Sequence, residues 1–173
     1  MIFKTRRLVL RPWNEKDAKW LYFYARNPNV GPMAGWNPHQ SREESLYIIQ
    51  TVFSKKETYA ITFKGKPIGC ITLYVHPDGN YYWGDGNGEI GYWIGEQFWG
   101  QGITVEASKI ILKHGFEDLK LKTIYATYQK QNKRSKRVLE KLGFKYYDEV
   151  EKLDVNYRSF KEIAMYLKGE DYL

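Results

Sequence analysis

Cysteine is almost absent from this chain: Cys70 is the only one in 173 residues. That excludes an internal disulfide framework and a cysteine-rich metal site, and no metal is expected. Cys70 stands in an apolar, strand-like run, so a buried structural thiol is the expectation. No apolar run reaches the roughly 18 residues that a membrane-spanning helix needs, so no membrane partner is expected. The opening Met1-Ile2-Phe3-Lys4-Thr5-Arg6-Arg7 has no apolar signal core, which makes a cytoplasmic location the expectation. Internal repeats and low-complexity linkers are also missing, and the length suits one domain over residues 1–173. Acidic residues are in deficit, 20 against 27 basic ones, for a net charge of +7. Such a surplus suits nucleic acid, a polyanionic small molecule or a solvated surface. The basic residues are dispersed except for Lys130, Lys133, Arg134, Lys136 and Arg137. Nucleic acid is therefore not expected as the primary ligand.

What the chain has in abundance is aromatic side chains, with 15 Tyr and 6 Trp. Such rings favour strands and line clefts for flat or cationic ligands. The apolar pattern alternates between the two backbone periods. Arg6 to Trp13 reads as a first strand, and Asn14 as the cap of a helix whose apolar face holds Trp20, Leu21, Phe23 and Tyr24, with Asp17 completing a capping box. Residues 27–40 read as a loop, yet they carry Met33, Trp36 and His39, and an aromatic loop suits a cleft wall. Ser41 to Glu44 reads as a second capping box, opening a helix to Lys55. Thr58–Phe63 and Pro67–Val75 form a hairpin around Lys64-Gly65-Lys66. Residues 76–88 are a polar loop containing Trp83, and Glu89–Ile94 is the next strand. A long helix follows from Thr104 to Leu119, with His114 expected on its surface. The remaining elements are a strand over Thr123–Tyr128, a short helix over Asn132–Leu142, and an antiparallel pair, Phe144–Leu153 and Ser159–Leu167, closing around a turn near Asn156.

The junction Gln97-Phe98-Trp99-Gly100-Gln101-Gly102-Ile103-Thr104 links a strand to the long helix through two glycines. A helix N-terminus presents free N–H groups and the positive end of the macrodipole, and glycine lets an anion approach closely. The turn therefore suits a pyrophosphate. A dinucleotide fingerprint would need a third glycine where Val105 stands, and a Walker loop would need Lys after Gly102, where Ile103 stands.

Three blocks in this order resemble the GNAT acetyltransferases: Glu89-Ile-Gly-Tyr-Trp-Ile, then Gln97-x-x-Gly100-x-Gly102, then Asn132-x-x-Ser135 followed by Leu142-Gly143-Phe144. Thr5-x-Arg7-Leu8-x-Leu10-Arg11 and Gly35-Trp36-x-Pro38-His39 are similar to the branch of ribosomal-protein N-terminal acetyltransferases (RimJ/RimL-like). The resemblance covers nearly the whole chain. It implies an α/β fold: a mixed, mostly antiparallel sheet of about seven strands with about four helices, and a splayed central strand pair that binds the cofactor.

It also implies that acetyl-coenzyme A is the acetyl donor. The diphosphate would rest on the backbone of Trp99, Gly100, Gln101, Gly102, Ile103, Thr104 and Val105. Tyr92, Trp93 and Ile94 would pair with the pantetheine arm like an added strand, one of their N–H groups facing the thioester oxygen. Asn132 would lie beside the pantetheine or act only as a helix cap, and Lys136 would approach the adenosine phosphate. Ser135 is implied as the group that protonates the departing thiolate, or else is an ordinary helix residue. Glu89 is the candidate base, acting through a water, or else half of an ion pair. Trp36, His39 and Trp83 are candidate acceptor-binding residues, and His39 and His76 are rival bases. The expected reaction is N-acetylation of a primary amine by direct attack. A protein or peptide α-amine is the leading acceptor, and the alternatives are a polyamine, an antibiotic or a non-catalytic acyl-coenzyme A module. A homodimer is left open.

Overall fold

Local rules set the first turns of the chain. In the computed structural model, which describes residues 1–153 and 157–172, Lys64 and Gly65 both take positive φ, 49° and 77°. Two consecutive positive-φ residues make a type I′ turn, whose twist matches that of paired strands. It joins β3 (Thr58–Phe63) to β4 (Lys66–Val75) as expected. Asn14 accepts the Lys16 N–H, while the Asp17 carboxylate accepts the Asn14 N–H, so this capping box forms in full. The second forms by half. Ser41 accepts the Glu44 N–H, but the Glu44 carboxylate takes the N–H of Gln40 at 2.6 Å.

The described residues hold eight strands and five α-helices. Before the hairpin come β1 (Phe3–Lys4), β2 (Leu8–Arg11), α1 (Ala18–Ala25), α2 (Gly31–Ala34) and α3 (Arg42–Thr51). After it come β5 (Asn87–Ile94), α4 (Ile103–Glu117), β6 (Thr123–Gln129), α5 (Lys133–Lys141), β7 (Lys145–Leu153) and β8 (Ser159–Lys168). The extra strand is β1, a two-residue pairing with β2 too short to carry a period. The extra helix is α2, a single turn inside the expected loop, ended by Gly35 at φ 88°. The first strand is shorter than its expected range of Arg6 to Trp13, and α3 ends at Thr51 rather than Lys55. The turn expected near Asn156 lies outside the described residues.

The chain forms two units, each drawn from two segments: Met1–Thr72 with Tyr92–Ile110, and Leu73–Gly91 with the residues from Ile111 onward. In the first, β1, β2, β3 and β4 pair antiparallel in sequence order. Its helical core gathers Ala18, Leu21, Ala25 and Ile49, with Trp13, Trp36 and Trp93 packed against them. The buried face of α1 is therefore Ala18, Leu21, Tyr24 and Ala25; Phe23, expected inside, is 47% exposed beneath the Arg26 guanidinium. Close passage of β5 over β4 needs Gly69, since a Cβ there would fall 2.4 Å from the Trp93 carbonyl oxygen.

In the second unit the strand order is β5, β6, β8, β7. β5 and β6 are parallel, and β8 runs antiparallel to both β6 and β7. The β5–β6 ladder joins Asn87, Gly88 and Glu89 to Thr123, Ile124 and Tyr125, and both strands continue beyond it. Ile124, Ala126, Ile163, Met165 and Leu167 fill the buried side. His114, expected on the helix surface, is 3% exposed, with Nδ1 2.7 Å from the Asp118 carboxylate.

Within the first unit, Asp17 anchors the entry to α1. Its carboxylate takes two Arg11 guanidinium bonds, at 2.7 and 2.9 Å, besides the Asn14 N–H. Hydrogen bonding to Asp17 raises the Arg11 pKa further, so the guanidinium keeps its charge. Asp17→Ala is expected to cost about 2–4 kcal/mol by leaving a half-buried guanidinium and a helix entry without their acceptor. Urea denaturation at constant pH checks this.

Candidate active site

The glycine turn is built as a rigid seat. Gly100 and Gly102 lie at φ 73° and 71°, while Gln101 between them keeps an ordinary negative φ. Alternating hands of this kind bring successive N–H groups into an anion-binding concavity, and here α4 continues from it. A Cβ at Gly100 would meet nothing within 4 Å, so the space above the turn is open. The seat is fixed from below. Arg7 donates from both terminal nitrogens to the Gln101 carbonyl, each at 3.1 Å, and from Nε to Glu106 at 2.7 Å. The Thr5 hydroxyl and the Arg7 N–H also bind Glu106. The Trp99 indole ties the turn back to β5 through the Ile94 carbonyl at 3.0 Å. Trp99, Gly100, Gln101, Gly102, Ile103, Thr104 and Val105 thus form one continuous segment, immobilised by side chains from the start of the chain.

The aromatic loop of the same unit folds inward. Trp36 meets Trp93 edge to face at 5.4 Å and the His39 ring at 5.3 Å. His39 is 8% exposed, and its Nδ1 lies 2.8 Å from the Ser45 hydroxyl on α3. Desolvation lowers its pKa despite the nearby Glu44. A neutral imidazole therefore ties this loop to α3, and Trp36 is the larger exposed surface of the pair.

In the second unit a different chemistry is assembled around Glu89. Period-two alternation on β5 sends Ile90 into the core and Glu89 to the opposite face, under the loop of residues 76–86. Glu89 is only 3% exposed. Trp83 Nε1 donates to one carboxylate oxygen at 3.0 Å and Asn80 Nδ2 to the other at 3.2 Å. Burial raises the Glu89 pKa and outweighs those two bonds and the attraction of Lys152; the like charge of Glu162 pushes the same way. Beside it opens a cavity of about 10 Å³ bounded by Tyr74, His76, Trp83 and Glu89, room for one water. The Trp83 ring lies flat on Tyr125, with centroids 4.3 Å apart and planes at 7°.

Asn132 caps α5, its side chain accepting the Ser135 N–H at 3.2 Å. Ser135 is half-buried on the first turn of that helix. Lys136 reaches toward Glu140, one turn on, at 3.7 Å. Cys70 is buried, as expected, and burial pushes its thiol up to about 12, which leaves no reactive thiolate at neutral pH.

Sequence reasoning missed Asn80, Tyr125 and Glu162 around Glu89, and it left Arg7 without a task. A signal existed for Glu162: it interrupts the apolar half of β8, where a charge is out of place. None existed for Asn80, which lies in a polar loop like its neighbours.

Residues 7–145 match the family model described as Acetyltransferase (GNAT) domain. The protein described as uncharacterized N-acetyltransferase YnaD of Bacillus subtilis (strain 168) is 26% identical over 147 residues, which are 84% of this chain and 83% of that one. A GNAT-family acetyltransferase from Bacillus anthracis superimposes with a TM-score of 0.82 at 23% identity, covering 98% of this chain and 99% of that chain. Mycobacterium smegmatis RimJ, solved in complex with CoA-disulfide, superimposes with a TM-score of 0.77 at 23% identity, covering 95% and 83%.

Gly100→Ala separates the seat from the scaffold. Its positive φ should cost about 1–2 kcal/mol of stability. The methyl group would fill the open cradle, so a coenzyme A diphosphate seated there would bind about tenfold or more weakly, a difference that isothermal calorimetry on the folded variant reads.

Proposed function

Because the chain belongs to the GNAT acetyltransferase family, we propose that it transfers the acetyl group of acetyl-coenzyme A to the α-amine of a protein or peptide, as the RimJ/RimL-like branch does. The observation that carries this reading is the buried Glu89 carboxylate beside a water-sized cavity. An amine attacks a thioester only when neutral. An α-ammonium of pKa about 8 gives up its proton to a given base some 3 kcal/mol more readily than an ε-ammonium of about 10.4. A carboxylate, even one raised by burial, is a weak base and is better matched to the first.

Acetyl-coenzyme A, when bound, supplies a thioester carbonyl for direct attack; the N–C bond forms as the C–S bond breaks. Its diphosphate fits the Gly100–Gly102 seat, and the N–H groups of Tyr92, Trp93 and Ile94 are the candidates for strand-like pairing with its arm. Asn132 and Lys136 are the candidates on α5. Glu89 accepts the amine proton through one water, in the orientation fixed by Trp83 and Asn80. The Ser135 hydroxyl donates a hydrogen bond to the departing sulfur, and the thiolate takes its final proton from solvent. Trp36 in the first unit and Trp83 in the second are each candidate flat surfaces for an acceptor. The buried Cys70 thiol makes a covalent acyl-cysteine route unnecessary to this account. A polyamine acceptor is the second reading, favoured by the second buried carboxylate, Glu162, on the face that carries Glu89.

Thiol release from acetyl-coenzyme A, followed with free-α-amine peptides and with linear polyamines, separates the two. Higher kcat/KM on peptides is the expected outcome, and turnover of polyamines alone would overturn the first reading. With its raised pKa, Glu89 is protonated to a higher pH than an ordinary carboxyl, so kcat/KM should fall as pH drops through that value. Glu89→Gln is expected to lower kcat about 100-fold and to abolish that acid limb. Ser135→Ala should lower kcat while leaving acetyl-coenzyme A affinity unchanged; an unaltered kcat would remove Ser135 from the mechanism.

A further inference from the structure

Glu162 is a buried carboxylate that the mechanism above does not use. Alternation along β8 places Phe160, Glu162, Ala164 and Tyr166 on one face. Across the ladders, Glu162 pairs with Gln129 of β6 and Val150 of β7, and Tyr166 with Tyr125 of β6. Tyr125 in turn is the β6 partner of Glu89. Glu89 and Glu162 therefore share a sheet face, covered by one loop, and Glu162 is 5% exposed. The loop joins them side chain by side chain. The Tyr81 hydroxyl donates to Glu162 Oε2 at 3.3 Å. The Tyr81 ring rests against Trp83, with centroids 5.3 Å apart at a tilt of 58°. Trp83 Nε1 then donates to Glu89.

We propose that Glu162 is a positioning residue for the Glu89 base: it holds the Tyr81 phenol, Tyr81 backs the Trp83 indole, and Trp83 sets the Glu89 carboxylate at the wall of the water-sized cavity. The proposal rests on the reading of Glu89 as the base. Removing two carboxylates from water on one face is costly, and a fold without a task for the second would do better with an apolar residue at 162. Its charge also acts on Glu89 directly. The titratable groups bearing on Glu89, among the described residues, are Tyr74 from β4, His76, Asp78 and Tyr81 from the loop, Tyr125 from β6, Lys152 from β7 and Glu162 from β8. Lys152 favours the ionised carboxylate, and Glu162 favours the protonated one. The two carboxylates also hold the Tyr81 phenol protonated, its pKa raised first by burial and then by Glu162, so it remains a donor across the working range.

Two variants separate the parts. Glu162→Gln keeps an oxygen for Tyr81 and removes the charge; Tyr81→Phe keeps the ring and removes the hydrogen bond. The full chain is assayed from about pH 5 to 9 by thiol release, with the peptide or polyamine that turns over fastest. In parallel, the side-chain carboxyl ¹³C resonance of Glu89, assigned by its loss in Glu89→Gln, is titrated by NMR. Glu162→Gln should move both the acid limb of kcat/KM and the Glu89 titration to lower pH by about half to one unit. Tyr81→Phe should lower kcat about three- to tenfold with the KM for acetyl-coenzyme A unchanged. If Glu89→Gln abolishes the limb while neither variant moves it, moves the NMR titration or changes kcat, Glu162 has no positioning role, although the base reading stands. If Glu89→Gln leaves the limb intact, the base reading fails and the proposal fails with it. Should Glu162→Gln not fold, Tyr81→Phe decides through kcat alone.

Discussion

A carboxylate taken out of water must be supplied with donors, or it recovers a proton. Glu89 is under that constraint, and much of its unit answers to it. Two donors from one loop, the Trp83 indole and the Asn80 amide, reach its two oxygens. The loop can hold them there because Trp83 lies flat on Tyr125 and Tyr81 is moored to Glu162. The result is a carboxylate with a raised pKa that is nevertheless held in one orientation. That combination suits proton transfer better than tight pairing with a cation, which would hold the group ionised and make it a weaker base.

The other unit solves a different problem with different means. Its anion seat is made of backbone, so the side chains around it serve to hold the backbone still. Arg7 spans the Gln101 carbonyl and Glu106, and Trp99 ties the turn to β5. Backbone of this kind suits a diphosphate whatever lies beyond it. The proposed acceptor side falls instead to loops rich in aromatic rings and to the charges beneath them.

Much of this was legible from residues close together in sequence. The I′ turn at Lys64-Gly65, the cap at Asn14 with Asp17, the cap at Asn132 and the glycine stop at Gly143 all lie where the chain places the residue types that such turns demand. Errors came where the period was too short or the partner distant. A two-residue strand and a one-turn helix leave no period to read. Glu44 chose the N–H of Gln40 over that of Ser41. Phe23 and His114 exchanged expected places, because helical periodicity marks a stripe while packing decides its edges; Phe23 turned outward under Arg26 and His114 inward beside Asp118.

The sequence by itself determined the longer elements, the two-glycine turn and the strand on which Glu89 stands, because each follows from hydrogen bonding and sterics within a few residues. Only the tertiary structure decided that Glu89 and Glu162 share a covered face, that Asn80 and Trp83 are the donors, and that Arg7 braces the seat. Glu162 and Arg7 meet their partners from tens to nearly a hundred positions away, whereas Asn80 and Trp83 stand only nine and six positions from Glu89 and reach it because their loop folds over it. Which of many polar side chains closes over a buried charge is settled by packing, and a pattern read along the chain carries no record of it.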